Sequence, residues 1–197
     1  MATTRRPTTD ARRSRSRQAI VAATSKVLSE RGYNLMTVED ILSEAGVARA
    51  TFYSHFTDKN DVTRAVIEQM FLRAKSLYVS FSQIEEVTRD TVTAWLNDAY
   101  DQWRDYQSEV SALVREFATL FRSPQFTQLD EFAEAMVGDG RHFACSQNTA
   151  LLRARLLIVQ LERAMLDSAS GLWPCTKSEL IAELVPIWLE TLQRPQA

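Results

Sequence analysis

Apolar residues recur every three or four positions along almost the whole of this 197-residue chain. That spacing places them on one face of an α-helix, whereas a half-buried strand alternates at every second residue. Only five glycines and five prolines interrupt the pattern, which leaves few positions for hairpin turns. The sequence therefore predicts an all-α fold of about nine helices.

Residues that begin or end helices divide this pattern into segments. A helix that includes Ile20 and Val27 is predicted to end at Gly32, because glycine readily adopts the left-handed conformation that closes a helix. Thr37, with Asp40 three residues later, has the spacing of a helix N-cap. Further helices are predicted over 88–105, 107–122, 125–137, 147–169 and 177–193.

The stretch from Thr37 to Lys59 carries the strongest functional signal. Two short helices there are joined by a turn that contains Gly46, which is the arrangement of a helix-turn-helix. Phe52 and Phe56 are four residues apart, and we expect both to face the core and hold the second helix. Its outer face is then free to enter the major groove of DNA, about 12 Å wide. A pair of short core helices without any DNA contact is the alternative interpretation.

Side chains on that outer face have the chemistry that DNA recognition requires. Arg49 can donate two hydrogen bonds to a guanine, and Thr51 can bond a base edge or contact a thymine methyl group. Tyr53 and Lys59 suit phosphate oxygens, which fix the register of a protein on DNA without reading sequence. The stretch is therefore predicted to read bases and to bind the backbone.

Residues 18–62 resemble the DNA-binding domain of the TetR (tetracycline repressor) family of bacterial transcription regulators. The resemblance covers less than a third of the chain tightly, and its aromatic-aromatic-x-His-Phe run is more specific than a generic helix-turn-helix. The matching elements are the helix before Gly32, T-x-x-D-I at 37–41, A-G-V at 45–47, T-F-Y-x-H-F at 51–56, and Lys59.

The resemblance implies roles for single residues. Those that it implies face the bases are Arg49, Ala50 and Thr51. Those that it implies contact the DNA backbone are Thr37, Tyr53, His55 and Lys59. The chain departs from the family at Ala48, where a serine is common, and this removes a helix cap or phosphate contact. It also has Ala50 where glycine or proline is common, and neither departure alters the expected fold.

Charge is unevenly divided along the chain. Residues 1–60 hold ten Lys and Arg against six Asp and Glu, a balance of +4, whereas residues 61–197 hold thirteen against nineteen, a balance of −6. A basic segment that coincides with a helix-turn-helix favours contact with nucleic acid. The arginine-rich start is predicted to be a flexible arm that is either solvated or follows DNA. The expected domains are this arm over 1–17, a DNA-binding domain over 18–62, and an effector-binding and dimerisation domain over 63–197.

Aromatic side chains at helical spacing in the C-terminal part are typical of a core, but they also line large pockets in helical bundles. The family resemblance implies an effector cavity in this region. The segments 161–163 (Leu-Glu-Arg) and 186–188 (Pro-Ile-Trp) are more weakly similar to the subgroup that includes the ethionamide-activation repressor of mycobacteria. A bulky, mostly apolar effector fits an aromatic lining. The candidate pocket residues are Trp95, Trp103, Phe117, Met136 and Trp188.

The last two predicted helices are apolar over more than one stripe, most clearly at residues 151–166. A helix of this kind must be buried from more than one direction. A homodimer formed through the last two long helices explains both, and the family resemblance implies the same assembly. A monomer that buries both helices is the alternative.

Composition and motifs exclude several other classes of protein. No stretch reaches the roughly 18 consecutive apolar residues of a membrane span, and the start lacks the apolar part of a secretory signal, so we expect a cytoplasmic protein. Two cysteines, two histidines and no catalytic motif argue against a metal, a cofactor or an enzyme. We expect a ligand-responsive DNA-binding regulator, most simply a repressor released from its operator by an apolar small molecule. The alternatives are a constitutive DNA-binding protein without effector, and a helical small-molecule-binding protein or enzyme with an incidental helix-turn-helix.

Overall fold

The computed structural model describes residues 9–121 and 128–195, with the side chains of all of these except residues 9, 106 and 108–121. The regular structure of these residues is entirely helical, so the all-α prediction is confirmed. None of the described helices is long and apolar enough to cross a membrane. The helices are α1 (Thr9–Leu35), α2 (Val38–Ala45), α3 (Arg49–Tyr53), α4 (Lys59–Ser82), α5 (Arg89–Phe121), α6 (Gln128–Val137), α7 (Gln147–Ala169) and α8 (Lys177–Gln193).

The described chain divides into two compact units. Unit 1 comprises the residues up to Met70 together with Ser108–Ala118. Unit 2 comprises Phe71–Gln107 together with the residues from Thr119 onward. Both α4 and α5 therefore contribute residues to each unit.

The core of unit 1 forms where α1 packs against α2 and α3. Ile20 and Leu28 of α1, Ile41 of α2 and Phe52 of α3 are fully buried. Phe56, just beyond α3, is also buried, and its ring centroid lies 5.8 Å from that of Phe52. These contacts confirm the prediction that both phenylalanines face the core and hold the second helix of the pair.

Helix boundaries in unit 1 follow the residues that the sequence singled out. Gly32 has a φ of 76° and interrupts the regular geometry of α1. The Thr37 side chain accepts a hydrogen bond from the Asp40 N–H, and the Asp40 carboxylate accepts one from the Thr37 N–H. Gly46 closes α2 in the left-handed conformation, with a φ of 62°. The capping box and the glycine turn thus fix where α2 begins and ends.

The core of unit 2 draws on five helices. Phe81 of α4, Leu96 of α5, Met136 of α6, Ile158 of α7 and Trp188 of α8 are fully buried in one hydrophobic cluster. Rings pack against rings within it, as where Phe81 and Trp188 lie 5.7 Å apart at a steep angle. Unit 2 is thus a helical bundle whose centre is rich in aromatic side chains.

Two predicted segments differ in the structure. The helices predicted over 88–105 and 107–122 form the single helix α5, so eight helices are described rather than nine. Residues 105–107 contain neither glycine nor proline, and nothing there forces the helix to end. Residues 9–17, predicted as part of a flexible arm, belong to α1. Alanine and arginine favour a helix, and Asp10 in the first turn complements its free N–H groups.

Candidate functional site

Helix α3 presents the residues that were predicted to read DNA bases. Arg49, its first residue, and Ala50 are exposed, Thr51 is half-buried, and Phe52 behind them is buried. Ala48 precedes the helix in extended conformation and makes no side-chain capping bond, in line with the cap predicted to be lost there. The burial of Phe52 fixes α3 with its base-reading candidates directed outward.

Arg49 forms an ion pair with Glu39 of α2. Both side chains remain more than 60% exposed, which is typical of ion pairs that add little stability. The Arg49 guanidinium can therefore exchange this carboxylate for a base edge at small cost. Glu39 was not among the residues predicted from the sequence, because its approach depends on the crossing of α2 and α3.

Tyr53 and His55 lie at the end of α3 and just beyond it. Tyr53 is 50% exposed, and its ring packs edge-on against Phe52 with centroids 5.3 Å apart. The Nε2 atom of His55 lies 2.8 Å from the hydroxyl of Ser16 in α1. Both predicted backbone contacts are thus held in place by packing or by a hydrogen bond.

Arginines of α1 surround the imidazole of His55. Burial lowers the pKa of His55 below its usual value, and the positive charges of Arg13 and Arg17 lower it further. The Arg17 guanidinium also lies 5.1 Å from the centre of the Phe56 ring. The candidate site therefore also includes Ser16, Arg13 and Arg17. They lie in the segment that the sequence predicted as a flexible arm.

Thr37 is exposed, and its side chain belongs to the capping box of α2. Its hydroxyl lies 2.7 Å from an Asp40 carboxylate oxygen, which also accepts from the Thr37 backbone N–H. These bonds, together with the neighbouring Arg31 cation, lower the pKa of Asp40. Thr37, which was predicted to contact the DNA backbone, thus caps the start of a helix whose free N–H groups favour an anion.

Lys59 is engaged within unit 1. Its ammonium group donates to the backbone carbonyl of Tyr33 at 3.0 Å and to that of Met36 at 3.1 Å. It also lies 4.2 Å from the centre of the Tyr33 ring. Lys59 therefore stabilises the end of α1, a structural role that the sequence did not predict beside the expected phosphate contact.

Four of the five residues predicted to line an effector pocket lie in the core of unit 2. Trp188 and Met136 are fully buried, and Trp95 and Trp103 nearly so. The Trp95 and Trp188 ring centroids are 5.3 Å apart. The side chain of Phe117 lies outside the described residues. Two surface pockets, of about 390 and 290 Å³, are lined by other residues, including His142 in the first and Asn97 in the second.

Two further observations concern the chemistry of the described residues. No group of three or more His, Cys, Asp or Glu side chains among them is arranged to hold a metal ion. The indole N–H of Trp188 is buried without a hydrogen-bond partner. A buried polar group of this kind costs roughly 1–3 kcal/mol, so this atom is a point where a ligand acceptor would gain a bond.

Comparison with known proteins identifies relatives of the N-terminal region. Residues 20–66 match the family model of bacterial regulatory proteins, tetR family. The chain is 41% identical over 59 residues to the HTH-type transcriptional repressor BepR of Brucella suis, in an alignment that covers 30% of this chain and 28% of BepR. It is 24% identical over 185 residues to the HTH-type transcriptional regulator EthR of Mycolicibacterium smegmatis, covering 88% of this chain and 84% of EthR.

Solved structures share the fold over nearly the whole chain. The crystal structure of a TetR-family transcriptional regulator from Mesorhizobium loti superposes with a TM-score of 0.69 at 18% identity, covering 90% of this chain and 96% of that one. A TetR-family regulator from Pectobacterium atrosepticum gives a TM-score of 0.62 at 21% identity, covering 96% of this chain and 100% of the other. At such identities the likeness establishes the arrangement of helices in both units.

Proposed function

The chain belongs to the TetR family of bacterial transcriptional regulators, and we propose that it is a repressor that binds operator DNA as a homodimer and is released by a bulky apolar small molecule. The proposed activity is regulation of transcription and not catalysis. Its proposed place of action is the cytoplasm, where bacterial operator DNA lies.

The outward face of α3 is the observation that carries this proposal. Arg49, Ala50 and Thr51 lie on a helix anchored by the buried Phe52, as a recognition helix in the major groove requires. We assign these three residues to the bases. We assign the DNA backbone to Thr37, Tyr53, His55 and Lys59.

Exposed apolar side chains on the last two helices support a homodimer. Leu152, Leu156 and Val159 of α7 recur at intervals of four and three, and each is more than half exposed. Ile187 of α8 is 45% exposed as well. A second copy that covers this face would bury all four, as expected of an isologous interface. The dimer would also carry two recognition helices, which must lie about 34–36 Å apart to enter successive major grooves.

Unit 2 is the proposed site of effector binding. Its aromatic core includes Trp95, Trp103, Met136 and Trp188, and the unpaired indole N–H of Trp188 is free to bond a ligand acceptor. Phe117 belongs to unit 1, so it is not part of this proposed lining. An effector that binds better to a dimer with another separation of recognition helices would shift the population away from DNA competence. We propose that α4 transmits this conformational change, because it contributes residues to both units.

A gel-shift titration with the DNA upstream of the protein's own gene, repeated across salt concentrations, tests the DNA-binding part. We expect one specific complex whose affinity exceeds that for unrelated DNA by roughly a thousandfold or more. Equal affinity for any sequence would contradict a repressor, and small-molecule binding without operator binding would favour a helical carrier or enzyme. Specific binding that no apolar compound weakens would favour a constitutive regulator.

A further inference from the structure

Ser16 of α1 and His55, which follows α3, are joined by a hydrogen bond between their side chains. The Ser16 hydroxyl oxygen lies 2.8 Å from Nε2 of His55. Both residues are half-buried, and the bond links the N-terminal part of α1 to the segment just after the proposed recognition helix. Because His55 is a proposed contact with the DNA backbone, a residue that holds its ring decides which ring nitrogen is left for DNA.

A second contact of Ser16 fixes the direction of this bond. The same hydroxyl lies 2.9 Å from the backbone carbonyl oxygen of Arg13. A hydroxyl has one hydrogen to donate, and a carbonyl oxygen can only accept. Both contacts are hydrogen bonds at once only if the hydroxyl donates to Arg13 and accepts from His55. Nε2 of His55 therefore carries a hydrogen.

The other ring nitrogen of His55 is then a bare acceptor. A neutral imidazole has a single N–H group, so a hydrogen on Nε2 leaves Nδ1 with an unshared electron pair. The bond to Ser16 is the only hydrogen bond that the described residues give this ring. A phosphate oxygen is an acceptor too, and two acceptors repel each other. While Ser16 holds Nε2, His55 can donate to a phosphate only after Nδ1 has taken up a proton.

Two arginines of α1 keep the ring of His55 neutral before DNA binds. Burial, and then the positive charges of Arg13 and Arg17, lower the pKa of His55. A phosphate beside these three side chains would reverse the balance, because its negative charge favours the protonated ring and gives each of them an acceptor. The change from neutral to charged imidazole is therefore expected when DNA arrives.

Charged side chains at the start of α4 are engaged elsewhere. Asp58 accepts a hydrogen bond from the backbone N–H of Asp61, whose own carboxylate accepts from the N–H of Thr57. Lys59 donates to two carbonyl groups at the end of α1. Among the described residues, the charges that shift the pKa of His55 are thus those of the two α1 arginines.

We propose that Ser16 is a positioning residue for DNA binding, which holds His55 with a hydrogen on Nε2 so that His55 contacts a DNA phosphate through Nδ1 and takes up a proton there. The proton comes from the solvent, bonds to the electron pair of Nδ1 and is released when the complex dissociates. The inference rests on the proposed function only in that His55 contacts the DNA backbone. It adds Ser16 to the residues that decide operator affinity.

Nitrogen NMR of the imidazole rings in the full chain, without DNA and near pH 8, tests the hydrogen position. A ring nitrogen that carries a hydrogen resonates far from a bare one, and the chain has two histidines, so H55Q identifies the signals. We expect a hydrogen on Nε2 and none on Nδ1. S16A should raise the fraction of rings with the hydrogen on Nδ1, whereas S16T keeps the hydroxyl and should not. S14A, which removes an exposed serine of the same helix, is the matched control.

Calorimetric titration of the full chain with operator DNA, in buffers of different ionisation enthalpy, counts the protons taken up. Near pH 7.5 we expect up to about one proton per protomer for the wild type, S14A and S16T. S16A should take up at least roughly twofold fewer, because its neutral ring is free to donate from Nδ1 without a further proton. Alanine favours a helix more than serine does, so S16A should fold. A merely structural serine would change operator affinity and leave proton uptake unchanged.

Three results would overturn the role of Ser16. They are a bare Nε2 in the wild-type ring, proton uptake by S16A equal to that of the wild type, and a loss in S14A as large as that in S16A. Failure of the regulator itself is distinguishable from these. The absence of any specific operator complex contradicts DNA recognition whatever the position of the hydrogen in the free ring. A specific complex together with any of the three results contradicts the role of Ser16 alone.

Discussion

Units 1 and 2 differ in whether their polar side chains have hydrogen-bond partners. In unit 1 two candidate DNA contacts already have hydrogen-bond partners. His55 bonds the hydroxyl of Ser16, and Lys59 donates to two backbone carbonyl groups at the end of α1. In unit 2 the indole N–H of Trp188 is buried and has no hydrogen-bond acceptor among the described residues. Among the described residues, His55 and Lys59 of unit 1 are thus paired before DNA binds, whereas one buried donor of unit 2 is unpaired.

This difference fits the two proposed ligands. DNA presents a fixed geometry, so a surface that reads it gains from side chains that are ordered before binding. A small molecule is enclosed when it binds, so a buried polar atom that it can bond adds to its affinity. Four experiments test this difference between the units.

The largest effect is expected where the core of unit 1 is reduced. Phe52→Ala removes a fully buried ring that anchors α3, and we expect unit 1 to lose about 3–5 kcal/mol of stability. All four tryptophans lie in unit 2, so their emission reports that unit alone. In urea, the part of the helical circular-dichroism signal that comes from unit 1 should be lost at a lower urea concentration. The transition in tryptophan emission should stay near that of the wild type.

Leu72→Ala is the control for Phe52→Ala, since Leu72 is 67% exposed and its loss should leave both transitions in place. If both signals of Phe52→Ala shift together to lower urea, the two units unfold as one and the comparison between them fails.

A charge on the exposed face of α7 should disrupt the proposed dimer. Leu156 is 61% exposed, and Leu156→Lys would bring two buried, unpaired cations into a symmetric interface. We expect a loss of about 3 kcal/mol or more, roughly a hundredfold in the dimer dissociation constant. Light scattering at low micromolar concentration measures it. Leu72→Lys, on an equally exposed leucine of α4, should leave the mass unchanged, and a dimer that tolerates Leu156→Lys uses another face.

Arg49→Ala tests whether the surface of unit 1 reads sequence. We expect a loss of about 1–3 kcal/mol on the preferred operator and little change on unrelated DNA. Glu39→Gln removes the carboxylate that now holds the Arg49 guanidinium, so it should tighten operator binding slightly. Fluorescence anisotropy with both DNAs measures these effects. Equal losses on both DNAs would assign Arg49 to the backbone and not to the bases.

The sequence predicts local structure in this protein better than it predicts partners. The Thr37 cap, the Gly46 turn and the burial of Phe52 follow from spacing alone, because each depends on neighbours within a few residues. The bond between Ser16 and His55 joins residues 39 positions apart, and that between Tyr78 and Glu162 joins residues 84 apart. Such contacts depend on how helices cross, which periodicity does not specify. The same limit explains why Lys59 was predicted as a phosphate ligand without its structural role.

The smallest expected effect is a pH dependence that distinguishes the two histidines of the chain. Burial, Arg13 and Arg17 lower the pKa of His55 in the free protein, so its neutral form stabilises unit 1. That stability is fully present above the unfolded pKa of about 6.5 and is lost as the pH falls towards the folded value. A phosphate beside His55 would instead favour the imidazolium form. Operator affinity should therefore rise, by less than about tenfold, as the pH falls from near 7.5 to near 6.

His55→Gln should flatten this rise in operator affinity. Burial also lowers the pKa of His142, which lies in unit 2, so acid should reduce stability through both histidines. His142→Gln, however, should leave the pH profile of operator binding unchanged, and this makes it the matched control. If His142→Gln flattens the binding profile and His55→Gln does not, the proton is taken up in unit 2 and His55 does not contact phosphate. Anisotropy titrations of both variants over this pH range decide between the two units.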